Sequence, residues 1–165
     1  MSHPAITVLM PVYNSERYVA MAVKSILDQT FRDFEFLIVN DGSTDNSMDI
    51  SREFDDPRIR VIDTENRGVA AALRLGVEKA TGDYIARMDA DDESLPNRLE
   101  IEKRCLDENP GIAVVHVRVE YIDSKGQPVF LDSDEGHSTI ITKWLLNWKK
   151  DPIHSTVMMR ESKLN

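Results

Sequence analysis

Five short runs of β-branched and aromatic residues alternate with segments of helical spacing, and this alternation limits the fold more than any other feature of the chain. The runs are AITVLMPVY (Ala5 to Tyr13), FEFLIVN (Phe34 to Asn40), RIRVID (Arg58 to Asp63), DYIARM (Asp83 to Met88) and IAVVHVRVEYI (Ile112 to Ile122). Each predicts a strand. Helical spacing appears at Tyr18, Met21, Ala22, Ser25 and Ile26, at Val69, Ala72, Leu73, Gly76 and Val77, and at Leu99, Ile101 and Leu106. Helix-start chemistry precedes three of the helices: Asn14-Ser15 before the first, DGST before the second and Pro96 near the start of the fourth. A strand, helix, strand rhythm requires crossover connections, so it predicts an α/β fold: a mainly parallel, Rossmann-like sheet with helices on both faces.

Beyond Tyr121 the rhythm changes. SKGQP reads as a turn, and STIITKWLLNWKK reads as an amphipathic helix carrying Trp144 and Trp148. With 165 residues, 41% of them hydrophobic, and only seven Gly and seven Pro, the chain can build one domain with a proper core. A formal charge of −9 argues against a nucleic-acid or anionic-membrane partner, because the long-range field repels phosphate. A phosphorylated ligand would need a local reversal of sign. The single Cys105 excludes an internal disulfide and any cysteine cluster for zinc, which suits a reducing compartment. No run reaches eighteen apolar residues and the N-terminus lacks a signal-peptide pattern, so the sequence predicts no transmembrane segment.

In an open α/β sheet, ligands gather at the carboxyl ends of the strands. That rule selects Pro11 to Asn14, Asn40 to Asp45, Asn66 to Gly68 and Asp89 to Glu93. The last group crowds carboxylates at Asp89, Asp91, Asp92 and Glu93. Asp-x-Asp alone says little: with 17 Asp it is expected by chance about 1.7 times and occurs twice, at Asp89/Asp91 and Asp132/Asp134. Only the first follows an apolar strand. An EF-hand loop fits Asp89, Asp91, Glu93 and Glu100 by spacing, but Ser94 stands where the sharp turn needs Gly and the preceding segment reads as a strand. A phosphatase nucleophile belongs after the first strand of a domain, and this cluster follows the fourth. Two readings remain: acids favouring a helix N-terminus, or a hard divalent cation shared with a diphosphate.

Taken in order, VLMPVYN, LIVNDGSTDNS, ENRGVAAALRLGVEKATGDYIARMDADD and SLPNRLE, with a fainter echo in HSTVMMR at His154 to Arg160, resemble the family 2 nucleotide-diphospho-sugar glycosyltransferases, which have the GT-A fold. The similarity runs from about Ile6 to Asn109. It implies that Tyr13 lies against the nucleotide base, commonly uracil, and that Asp41 accepts a hydrogen bond from the base ring N–H. It implies that Asp89 faces the ribose and the metal, that Asp91 is the main protein ligand to Mn²⁺ or Mg²⁺, and that Asp92 is the next candidate. Pro11 and Arg67 would line the donor site, Arg67 near the diphosphate. From the residues alone, Asp41 also suits a turn or helix cap before Gly42-Ser43-Thr44. Two departures stand out: Arg74 occupies a position where members usually carry Asn, and His154 matches a recurring family His although an isolated His is more often structural.

The implied reaction is metal-dependent transfer of a sugar from a nucleoside-diphosphate donor, a UDP-sugar, to a hydroxyl of a carbohydrate or lipid-linked acceptor, with inversion. Such a step needs stabilisation of the leaving diphosphate and a general base for the acceptor proton. In the family the base is an acid in a segment after the HSTVMMR strand. Only Glu161 to Asn165 follow Arg160, Glu161 is too close to that strand, and Asp132, Asp134 and Glu135 lack motif support. The expectation is therefore a single GT-A domain over 1–165, incomplete at its C-terminus: a nucleotide-binding part at about 5–110, the start of an acceptor-side part at about 111–165, and the base beyond Asn165. The rival is a non-catalytic nucleotide-sugar binding module or fragment. A Rossmann oxidoreductase is disfavoured because no G-x-G-x-x-G follows any strand. The expected location is the cytoplasm, including the inner face of the membrane.

Overall fold

The computed structural model describes residues 3–123, 127–131 and 156–163. The chain runs β1 (Ile6–Val12), α1 (Val19–Leu27), β2 (Phe34–Asp41), α2 (Ser47–Arg52), β3 (Ile59–Thr64), α3 (Val69–Lys79), β4 (Tyr84–Arg87), α4 (Arg98–Glu108), β5 (Val114–His116), β6 (Glu120–Ile122), β7 (Pro128–Leu131) and β8 (Val157–Arg160). The main sheet has the order β3-β2-β1-β4-β8-β5. Its first four strands are parallel, and β8 runs antiparallel to both β4 and β5. The α/β architecture expected from the alternation is present.

Every residue of β1 is buried, as befits a central strand covered on both faces. Side chains alternate between two layers. Ile6, Val8, Met10 and Val12 pack with Val23 and Ile26 of α1, Met48 of α2 and Leu99 and Leu106 of α4. Leu9 joins Leu37, Val39 and Ile85 on the opposite face, beneath Ala72 of α3. Gly76 lets α3 come close, since a Cβ there would lie 2.1 Å from Leu9 Cδ1.

Pro11 explains where the sheet opens. The β1–β4 ladder ends at Leu9↔Arg87, with the Met88 N–H donating to the Leu9 carbonyl at 3.0 Å. Two residues later, on the same edge of β1, Pro11 has no N–H to donate. β1 and β4 therefore part there, at the point where the chain has reversed its order across the sheet and where crevices form.

The run from Ile112 to Ile122 differs from the single strand expected. Strand β5 stops at His116↔Val157, where its only partner among the described residues, the four-residue β8, begins. Further on, the chain forms β6 and pairs with β7, with a register shift at Tyr121/Ile122 beside Pro128. The HSTVMMR strand is present as β8, followed by a 3-10 turn over Glu161–Lys163. Residues 124–126 of the SKGQP turn, the segment with Trp144 and Trp148, His154, and Asp132, Asp134 and Glu135 lie outside the described residues. Among the described residues, no helix is long and apolar enough to cross a membrane.

Candidate active site

The loops at the carboxyl ends of β1, β2 and β3 are fastened to one another by polar contacts. Asn14, in the left-handed region at φ 49°, accepts the Thr44 N–H on its Oδ1 at 2.8 Å, and its own N–H reaches Ser43 Oγ at 3.2 Å. The Ser15 and Glu16 N–H groups donate to Ser47 Oγ and Asp45 Oδ2. Gly42, at φ +71°, sits so close to the β3–α3 loop that a Cβ would lie 2.6 Å from the backbone N of Asn66.

Asp41 ends β2 and is only 3% exposed. Its Oδ1 accepts the Arg67 N–H at 2.8 Å and its Oδ2 accepts the Gly68 N–H at 2.9 Å. One carboxylate thus fixes the loop that starts α3, and each oxygen keeps a further lone pair. Gly68 adopts φ 87°, ψ 157°, a region open in practice only to glycine. The N-cap Gly68 makes no side-chain cap and the first turn of α3 holds no acid, so Asp41 is the carboxylate that meets the start of this helix, through the Gly68 N–H.

Pro11, Val12, Tyr13, Asp41, Asn66, Gly68 and Val69 line a pocket of about 290 Å³. Of the residues to which the resemblance gives a role, it unites Pro11, Tyr13 and Asp41. Tyr13 is 51% exposed and Val69 is 54% exposed, giving the mouth an aromatic and an aliphatic wall. Arg67 is not in the lining, and its side chain lies exposed, 3.4 Å from Glu65. A larger cavity of about 400 Å³ lies at the opposite, amino end of β4, where Tyr84, Lys103, Asp107 and Arg160 are paired among themselves.

The acidic loop follows β4, beside β1 in the sheet. Asp91 is exposed, while Asp89 is half-buried and its Oδ1 accepts Arg87 Nη2 at 2.8 Å. Among the described residues, no three His, Cys, Asp or Glu side chains are grouped to hold a metal. Two hard carboxylates, one of them open to solvent, suit Mn²⁺ or Mg²⁺, which commonly takes its other ligands from water and substrate phosphates.

Sequence reasoning assigned no role to the residues that hold this loop. Gln29, fully buried after α1, donates to the Leu95 carbonyl at 2.8 Å and to Ser94 Oγ at 3.1 Å, and its Oε1 accepts the Leu99 N–H at 3.1 Å. Arg98, 5% exposed, donates to the Arg87 carbonyl at 2.7 Å and to Glu102 Oε2 at 3.0 Å. The available signals were Arg87, a cation inside an apolar run, and Arg98 in SLPNRLE.

Burial drives Glu102 up to about 7 despite Arg98 beside it, and its Oε1 has no hydrogen-bond partner among the described residues. The folded protein keeps this proton after the unfolded chain, near 4.5, has lost it. The resulting stability is complete below about pH 4.5 and fades as pH rises to 7, by at most about 3 kcal/mol. Glu102→Gln should remove that part of the slope. Urea unfolding at pH 5 and pH 8 checks this: the variant should gain on the parent protein as pH rises, and parallel pH profiles would contradict it.

Comparisons with known proteins identify the family and the fold. A sequence relative from Haemophilus influenzae, described as an uncharacterized glycosyltransferase, is 33% identical over 165 residues, covering 98% of this chain and 65% of the relative. Glycosyltransferase GlyG of Streptococcus pneumoniae is 38% identical over 128 residues, covering 76% of this chain and 42% of its own length. The chain thus spans less than two thirds of these relatives. S. aureus TarS 1-349 in complex with UDP-GlcNAc superposes with a TM-score of 0.77 at 22% identity, over 96% of this chain and 46% of that one, which shows a shared fold. The mannosyltransferase PcManGT from Pyrobaculum calidifontis, in complex with GDP-Man and Mn²⁺, matches with a TM-score of 0.65 at 26% identity, over 73% of this chain and 37% of that one. The family model described as Glycosyl transferase family 2 matches residues 7–165, so the chain belongs to that family.

Proposed function

We propose that the carboxyl rim of β1 to β4 binds a nucleoside-diphosphate sugar, a UDP-sugar, with Mn²⁺ or Mg²⁺, for inverting transfer to a hydroxyl of a carbohydrate or lipid-linked acceptor. The observation that carries this reading is the pocket at the end of β1, where an exposed aromatic ring, a buried carboxylate and a helix N-terminus meet. Each of these suits one part of such a donor. Tyr13 offers a face for stacking a base. Asp41 has acceptor capacity for a ring N–H beyond its two backbone partners. The N-terminus of α3 attracts a diphosphate locally, inside a protein of charge −9.

Asp91, with Asp89 beside it, would hold the metal, and Arg67 is free to swing from its exposed contact with Glu65 toward phosphate. When bound, the metal supplies Lewis-acid stabilisation of the leaving diphosphate. Relatives bearing glycosyltransferase names and the donor complexes of TarS and PcManGT support this reading. The test is a thermal-shift screen of nucleoside diphosphates and their sugars with and without Mn²⁺, followed by an assay of UDP release with candidate acceptors. A melting-temperature rise with UDP-sugars that needs Mn²⁺ is expected, and UDP release would show that the chemistry also proceeds. Stabilisation without UDP release would favour a binding module, and no stabilisation by any nucleotide would refute the proposal.

A further inference from the structure

Arg87 is the last residue of β4 and pairs in register with Leu9, on the α3 face of the sheet. A cation at that point in a buried strand needs a reason. Its side chain is 14% exposed, its Nη2 lies 2.8 Å from Asp89 Oδ1, and its Nε is buried with no hydrogen-bond partner among the described residues. The backbone beneath it is fixed from two directions: Arg98 Nη2 donates to the Arg87 carbonyl at 2.7 Å, and the Met88 N–H donates to Leu9. The guanidinium is thereby held against the first carboxylate of the acidic loop, while Asp91 faces solvent.

We infer that Arg87 is a built-in counter-cation that occupies Asp89 and makes metal capture depend on the nucleotide. The inference rests on the proposed donor site. A unit positive charge at hydrogen-bond distance cancels most of what Asp89 can offer a divalent cation, and a metal approaching Asp89 also meets repulsion from the guanidinium. Asp91 alone is a weak ligand for a strongly hydrated ion. A diphosphate brings oxygens and negative charge of its own, which supply the attraction that Arg87 removes. Arg87 is thus a positioning residue acting through Asp89, and its effect is largest on metal binding in the absence of nucleotide.

The test is Mn²⁺ binding, read from the electron paramagnetic resonance signal of free Mn²⁺, for the parent protein, Arg87→Met, Arg87→Gln and Arg87→Lys, each with and without UDP. The parent should bind Mn²⁺ weakly alone and more tightly with UDP. Arg87→Met should bind Mn²⁺ alone about tenfold more tightly, with the enhancement by UDP reduced accordingly. Arg87→Gln keeps a donor to Asp89 without the charge and should move the same way, so the test survives if Arg87→Met does not fold. Arg87→Lys retains the charge and should stay near the parent. If the parent binds no Mn²⁺ even with UDP, the donor-site reading falls and this inference with it. If the parent binds as expected and the two neutral variants match it or bind less tightly without UDP, the inference alone is overturned.

Discussion

Asp91→Ala is expected to abolish the manganese dependence of UDP binding and to lower sugar transfer by about 10²- to 10³-fold, the usual cost of removing one preorganised electrostatic contact to a leaving group. The side chain is exposed at the rim after β4, so its removal should leave stability within about 0.5 kcal/mol of the parent. That separation makes the variant informative: a folded protein that has lost its response to metal. Calorimetric titration with UDP in Mn²⁺ and in EDTA, combined with a UDP-release assay, reads both effects. A variant with unchanged affinity, unchanged metal response and unchanged turnover would remove Asp91 from the site.

Asp41→Ala is expected to act on both the fold and the ligand. The parent carboxylate accepts two backbone N–H groups, from Arg67 and Gly68, while itself almost fully buried. Hydrogen bonds to a charged group contribute roughly 1.5 to 3 kcal/mol each, so the loss should be about 3 to 6 kcal/mol of stability, with greatest loosening at the start of α3. UDP affinity should fall by a further 1 to 3 kcal/mol as an approximate figure for an unpaired buried partner, and a base-free diphosphate should lose less. Denaturant unfolding gives the first number, and parallel titrations with UDP and pyrophosphate give the second. Equal losses for the two ligands would mean that Asp41 serves only to hold the loop.

The four parallel strands were legible because β-branched runs and helical spacing are local signals: β1 and β4 fall within the runs read from sequence, and β2 and β3 extend one residue beyond theirs. The rim residues were legible for a related reason. Once the strands are placed, the carboxyl-end rule selects Pro11, Tyr13, Asp41, Asp89 and Asp91 with no knowledge of their contacts. The insertion of β8 between β4 and β5 was not legible, because it joins strands far apart in sequence and no local pattern encodes that choice. The division of Ile112 to Ile122 into β5 and β6 has the same origin, since the partner of β5 is the distant β8.

The supporting side chains at the site were hidden by sequence separation. Gln29 meets Leu99 across 70 positions, and Asp41 meets Gly68 across 27. Asp41 shows the limit well. Its residue type and place suited either base recognition or a turn, and the structure adds a role that neither reading contains, the anchoring of a loop from another strand. Arg87 shows the converse, for its position inside an apolar run was visible, but only the fold brings its guanidinium onto Asp89.

The most direct measurement of the central claim, that an acidic sheet rim binds a nucleoside diphosphate through a shared metal, is a calorimetric titration of the unmodified protein with UDP in Mn²⁺ and again in EDTA. The account predicts saturable binding in Mn²⁺ and an affinity at least about tenfold lower in EDTA, since the metal supplies most of the attraction between two negatively charged partners. Equal affinity in the two buffers, or no binding in either, would contradict it.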